Sequence, residues 1–278
     1  MRPLEHAKNL LHRAGIDVVR WPRRPDAGAI DWALAAVLRS RGINCVIDVG
    51  GNRGQTGQRL RALGYAGRIV SFEPSPTVLP AIRAAAERDP DWTVRPVALS
   101  SEAGQAELRL HQEPQTDSLA DVLPGVADQI PGIAETGTAT IELSTLAAEL
   151  PQAVAGIAEP RVLVKSDTQG HDLEVLRGAG DKGLDETVAA VLVELVTQPI
   201  YRGQPVLTTV MDVLMADGFT PVAFEPLIES ADGLLIVELD GLFLRAADNR
   251  PDWGMYRRPR YMAPPVPAAP GYGPSRPR

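Results

Sequence analysis

Four acids stand at or near the ends of strongly apolar runs in this chain. Asp48 closes CVID, Glu73 closes RIVSFE, Asp167 follows RVLVKS, and Glu194 comes late in AAVLVEL. Open parallel sheets bind their ligands outside the carboxyl ends of the strands, so residues that finish strands face whatever is bound. An acid in that place can accept a hydrogen bond or remove a proton. Lys165 and Asp167 lie two apart and therefore project to one side of their strand. Charges on so apolar a segment are costly unless they pair or are used, and the rival to a catalytic reading is a purely structural Lys165–Asp167 pair. His171 follows four residues later, with a side chain that titrates near neutrality.

Asp48 and Glu73 frame the segment CVIDVGGNRGQTGQRLRALGYAGRIVSFEP, which reads as strand, tight turn, helix and strand. Its glycines let the backbone approach a ligand closely, and the helix start offers free N–H groups at the positive end of its dipole. An acid about 20 residues past such a turn is placed to accept hydrogen bonds from the two hydroxyls of a ribose, which makes Glu73 the ribose candidate. The dinucleotide fingerprint G-x-G-x-x-G beginning at Gly50 requires glycine at position 52, where Asn52 stands. A nicotinamide-dependent oxidoreductase is therefore disfavoured. The loop D-V-G-G-N-x-G suits a nucleoside with a cationic or amine-bearing amino-acid end, as S-adenosylmethionine has.

The bulk properties agree with a small-molecule enzyme. The 278 residues, 44% hydrophobic, are enough for one large α/β domain with additions. A net charge of −7 supplies no basic field for nucleic acid or an anionic membrane. Cys45 is the sole cysteine and falls within an apolar run, so neither a disulfide framework nor a thiol cluster is expected. With no signal-peptide pattern in the opening MRPLEHAKNLLHRAG and no long apolar stretch, a cytoplasmic protein is expected.

Elements that position the acids follow from periodicity. Leu4, Ala7, Leu10 and Leu11 predict a helix over residues 3–14, and a second helix runs from about Ile30 to Ser40. After Glu73, Pro74-Ser75-Pro76 feeds a helix to about Glu87; Trp92–Leu99 and residues 105–111 read as strands that continue the sheet. Residues 112–138 lack any period, which in a compact domain marks a functional loop and a candidate lid, or else surface disorder. Then come a strand (Ala139–Leu143), a short helix (Thr145–Leu150) stopped by Pro151, a strand at Arg161–Asp167, a helix at Asp172–Arg177 and a strand at Ala189–Leu195. A helix around Leu207–Leu214 precedes two final strands, Phe219–Phe224 and Leu242–Leu244, expected as an antiparallel pair. Alternating βα units with such an end imply a mostly parallel sheet with helices on both faces. The expected organisation is a helical cap (1–43), the main domain (44–248) and a Pro-rich, disordered tail (249–278).

The segments DVGGNRGQTG, SFEPSP, VKSDTQGHDLEVLRGA, VELVTQPIYRGQP and GLFLRA, in this order, resemble the FkbM family of S-adenosylmethionine-dependent methyltransferases. That resemblance implies a Rossmann-like seven-stranded sheet with a reversed last hairpin, and O-methylation of hydroxyls on sugars or natural-product scaffolds. It places Asp48, Gly50, Asn52 and Gly54 in the loop under the cofactor's amino-acid end, Gln55 at the helix start, Glu73 on the ribose, and Val97, Ala98 and Leu99 beside the adenine. Ser166 and His171 depart from the family pattern, so His171 could reflect this protein's own substrate. Methyl transfer aligns donor and acceptor and relieves the hydroxyl of its proton. Asp167 is the first candidate base with Lys165 steadying its charge, His171 is the second, and Glu194 is placed to orient the acceptor. Asp167, His171 and Glu194 could ligate Mg²⁺, but no compact D-x-D or H-x-x-x-H pattern accompanies them, so no metal is expected. The rival of another class is a non-catalytic nucleoside-binding or scaffold module on the same fold.

Overall fold

The computed structural model describes residues 29–230 and 233–246. The helix expected over 3–14 and the tail expected over 249–278 lie outside the described residues. In chain order the first elements are α1 (Ala29–Ser40), β1 (Cys45–Val49), α2 (Gln55–Ala62), β2 (Arg68–Phe72), α3 (Leu79–Ala86) and β3 (Trp92–Arg95). There follow β4 (Ala98–Leu99), β5 (Gly104–His111), a 3₁₀ turn (Pro114–Thr116), β6 (Glu135–Ser144) and α4 (Leu146–Ala153). The chain continues with β7 (Val162–Ser166), α5 (Asp172–Arg177), β8 (Val188–Val196), α6 (Leu207–Ala216), β9 (Phe219–Glu229) and β10 (Ile236–Arg245).

Seven strands form one sheet in the order β3-β2-β1-β7-β8-β10-β9. All neighbours are parallel except β10, which runs antiparallel to both β8 and β9. This is the Rossmann-like methyltransferase sheet with its reversed hairpin. Both faces are covered, which is why β1, β7 and β8 are buried at every position and read as continuous apolar runs. One face sets Val46, Leu163, Leu192 and Leu242 against Ile30 and Leu34 of α1, Leu60 of α2 and Ile82 of α3. The other sets Ile47, Val164, Val191 and Phe243 against α4, α5 and α6 through Leu150, Leu173 and Leu214. Each such fully buried side chain contributes about 1.5–3 kcal/mol.

The structure departs from the sequence expectations at several places. Trp92–Leu99 is two strands, broken at Pro96, which has no N–H to give to a ladder. β3 stays on the main sheet beside β2, whereas β4, β6 and β5 form a separate three-stranded sheet in that order. Residues 105–111 therefore do not continue the main sheet. Pro151 lies inside α4 rather than ending it, because one missing N–H is tolerated in a two-turn helix already capped by Thr145, whose side chain accepts from the Ala148 N–H. Residues 112–138 are neither a bare loop nor surface disorder. Ile133 packs with Ile200 and Tyr201, joined by Val122, Val126 and Ile130, and Ser118 bridges back to Arg109. Two of the four acids are not at strand ends: Asp48 is the fourth residue of β1, and Glu194 lies two residues before the end of β8.

Candidate functional site

Beyond the carboxyl ends of β1, β2, β7 and β8 lies a cavity of about 340 Å³. Its floor is the turn after β1. Gly50 has φ +76°, and a Cβ there would stand 1.8 Å from the Asp167 carbonyl oxygen, so only glycine lets the β1 and β7 ends come this close. The Gly50 and Gly51 N–H groups donate to the Phe72 carbonyl, which draws the turn over the end of β2. Asn52 also adopts a left-handed conformation, φ +45°, and its N–H donates to Glu73 Oε2 at 2.7 Å. Glu73 Oε1 accepts from the Ser75 N–H at 2.7 Å. Burial nevertheless dominates the Glu73 carboxyl and pushes its pKa up to about 7.

Lys165 ties this floor to the next strand. Its Nζ donates to the carbonyls of Gly50 (3.0 Å) and Val49 (3.3 Å), and sits 3.5 Å from Asp48 Oδ1 and 3.4 Å from Asp167 Oδ2. Burial favours the neutral amine, but Asp167 and Asp48 outweigh it and hold the ammonium above the usual lysine range. Asp48 is fully buried and does not line the cavity; the Ser71 hydroxyl donates to its Oδ2 at 2.7 Å. It acts from beneath, through Lys165. Gly54 also lies off the cavity, capping α2 in a left-handed conformation with Trp92 and Ala85 against it. Gln55, which opens α2, does line it.

The walls differ in chemistry. Ala98 and Leu99 of β4, with Leu108 and Leu119, form an apolar wall, while Val97 packs into the core instead. Opposite stands a polar wall from β7, β8 and β10. Gln169, held at φ +52°, donates through Nε2 to Asp167 Oδ1 (3.2 Å) and Glu194 Oε1 (3.1 Å), and the Tyr201 hydroxyl donates to its Oε1 at 3.0 Å. Burial, then the charges of Asp167 and Glu238, raise the Glu194 pKa well above the ordinary value. His171 joins the other wall: its Nε2 and the Ser100 Oγ share a 2.9 Å hydrogen bond beside β4, and burial lowers its pKa. A neutral imidazole is thus the form present near pH 7.

Three cavity residues escaped the sequence reading. Asp117 receives hydrogen bonds from the Ser75 hydroxyl (2.8 Å) and the His111 N–H (2.8 Å), which carries it to the Glu73 side of the site. It belongs to the aperiodic 112–138 stretch, whose length was the available signal. Gln169 lies between Asp167 and His171, and its role depends on a left-handed backbone that letters do not show. Glu238 stands in IVELDG, an acid within a final strand expected to begin later, at Leu242. Among the described residues, no three His, Cys, Asp or Glu side chains are grouped to hold a metal ion, and no helix is long and apolar enough to cross a membrane.

The sequence pattern of the Methyltransferase FkbM domain matches residues 48–235. No curated protein matches the chain. Among solved structures, similarity extends to precorrin-6y C5,15-methyltransferase of Geobacter metallireducens, at 14% identity and a TM-score of 0.39 over 83% of this chain and 96% of that one. It extends also to Aeropyrum pernix fibrillarin in complex with natively bound S-adenosyl-L-methionine, at 12% identity and 0.38 over 77% and 74%.

Proposed function

Since this chain belongs to the FkbM family of S-adenosylmethionine-dependent methyltransferases, we propose that it transfers the methyl group to a hydroxyl of a small-molecule acceptor, a sugar or natural-product scaffold. One observation carries this reading. Asp167, paired with Lys165 at 3.4 Å and 41% exposed at its side chain, shares one cavity with the ribose candidate Glu73. An exposed carboxylate facing a ligand cavity, with its charge steadied from behind, is what a general base for an alcohol requires.

The cavity residues suit the cofactor. Glu73 and the loop Gly50–Asn52 offer a carboxylate and a close backbone to the ribose and the amino-acid end. The Asn52 Oδ1 there is buried and has no hydrogen-bond partner among the described residues, an acceptor fit for an ammonium. The wall of Ala98 and Leu99 suits a purine face, and Asp117 can accept from an exocyclic amine. When bound, the cofactor supplies an electrophilic methyl on a sulfonium. Asp167 takes the acceptor's proton as its oxygen attacks, Glu194 orients that hydroxyl, and His171, neutral against Ser100, shapes the far wall. No metal enters this reading. The net charge of −7 speaks against nucleic acid and anionic membranes as partners.

The test is an assay with methyl-labelled S-adenosylmethionine and a panel of sugars and hydroxylated polyketides, products being identified by mass. Methyl ethers with matching S-adenosylhomocysteine are expected. Tight cofactor binding with no transfer to any alcohol, or transfer to nitrogen or carbon alone, sinks the reading.

A further inference from the structure

Glu238 is buried, with 8% relative exposure, yet it lines the cavity. On adjacent strands Glu238 pairs with Val196, two residues from Glu194 and on the same side of the sheet, so that the two carboxyls meet. Two carboxylates cannot accept from each other, so such a contact requires a proton between them. Glu194 is itself 6% exposed and bridged by Gln169 to Asp167. The groups around the pair are mostly acids: Asp167 after β7, Asp172 at the start of α5, Asp240 on β10, and the Tyr201 phenol. Lys165 of β7 is the nearby buried cation, and Asp48 shares it. Arg59 of α2 is committed to Asp31 and Asp240. An anionic pocket of this kind, ringed by β7, β8 and β10, is short of positive charge.

The cofactor carries that charge. Its sulfur links the ribose to the amino-acid chain, so with those ends at Glu73 and the Gly50–Asn52 loop, the sulfonium lies by the end of β1. The next strand is β7, and β8 follows. We propose that Glu194 and Glu238 hold one proton between them in the cofactor-free enzyme and release it when the sulfonium arrives, so that the acceptor meets a basic wall only with the donor in place. The inference rests on the cofactor placement proposed above. A neighbouring cation lowers a carboxyl pKa, in opposition to burial and the like charges of Asp167 and Glu238, which raise that of Glu194.

Protons and electrons balance through the cycle. On binding, the Glu194 O–H bond breaks, its electron pair stays on the carboxylate, and the proton leaves to water. During transfer, the acceptor's oxygen forms its bond to the methyl carbon, the C–S electrons remain on sulfur, and the hydroxyl proton passes to Asp167. With sulfur then neutral, the Glu194–Glu238 pair is again the stable resting place for one proton.

Calorimetry at pH 7 in phosphate and in imidazole, whose ionisation enthalpies differ, counts the protons exchanged on binding. S-adenosylmethionine should release about one proton more than S-adenosylhomocysteine, which lacks the sulfonium. Any titration of Glu73 against the ribose is common to both ligands and cancels in the difference. In Glu238→Gln, and separately in Glu194→Gln, the excess should fall close to zero while S-adenosylmethionine still binds; melting curves establish that each variant is folded. Equal proton counts for the two ligands in the unaltered enzyme overturn the proposal, as does an undiminished excess in both variants. No binding of either ligand overturns the functional reading beneath it.

Discussion

In the proposed reaction Asp167 and Glu73 divide the chemistry between them, and each can be tested alone. Asp167→Asn keeps the shape and the Gln169 contact but removes the basicity. Turnover on an accepted alcohol should fall by roughly 10²–10⁴, the usual worth of a general base. Cofactor affinity should change far less, because the residue faces the acceptor. Single-turnover rates at saturating cofactor, compared with His171→Ala, decide the matter: loss of rate in the histidine variant alone would transfer the role to His171. Glu73→Ala should weaken S-adenosylmethionine binding by about 1.5–3 kcal/mol, the range for hydrogen bonds to a charged group. In the unaltered enzyme the affinity should also fall as pH drops below about 7, where the Glu73 carboxyl takes up its proton. Calorimetry that finds unchanged affinity in a folded variant displaces the ribose from this residue.

At the scale of elements, the site exists because two strand ends touch. β1 and β7 are in register from Cys45 to Val49, and Gly50 passes directly under the Asp167 carbonyl. Gly50→Ala meets both a left-handed φ and a backbone atom that cannot move aside. It should destabilise the fold by about 1–3 kcal/mol, the cost of overpacking, and weaken cofactor binding together with it. A melting temperature within error of the parent would show that the turn has room to relax. Gly54→Ala, four residues further along the chain, meets Trp92 and Ala85 side chains at 3.0–3.1 Å. Its effect should fall on the start of α2, leaving the β1–β7 junction intact.

For the whole molecule, the excess of buried acids sets the response to pH. Burial raises the pKa of Glu73 to about 7 and of Asp172 and Asp240 to about 6, with Glu194 and Glu238 raised as well. An acid with a raised pKa holds its proton longer in the folded chain than in the unfolded one. Its stabilising contribution is complete below the unfolded value near 4.5 and is lost as pH climbs through the folded value. His171, lowered by burial, acts in the opposite sense, and the lowered carboxyls of Asp89, Glu174 and Asp185 titrate below the interval from pH 6 to 8. The cofactor-free protein should therefore melt higher at pH 6 than at pH 8. A net change of about 2 kcal/mol corresponds to roughly 4–8 °C for a chain of this size. Melting temperatures that rise over that interval would mean that these acids are ionised in the folded state throughout.

Local chemistry and periodicity were enough to read the βα alternation, the glycine turn after β1, Glu73 just past β2 and the Lys165–Asp167 side of β7, since each depends on neighbours within a few residues. The reversed hairpin was legible too, although β9 and β10 are longer than their apolar runs suggest. Partners far apart in the chain were decided only by tertiary structure. Pro96 sends β4 into a second sheet, because pairing depends on which edge is free, and an alternating pattern such as that of β5 fits either sheet equally. Asp48 turned out to serve from below rather than face a ligand, because its contacts with Ser71 and Lys165 hold it beneath the cavity. Asp117, Gln169 and Glu238 reach the site through a packed loop, a left-handed backbone and an antiparallel neighbour. None of these is a local property of the chain: each depends on contacts between segments far apart in it.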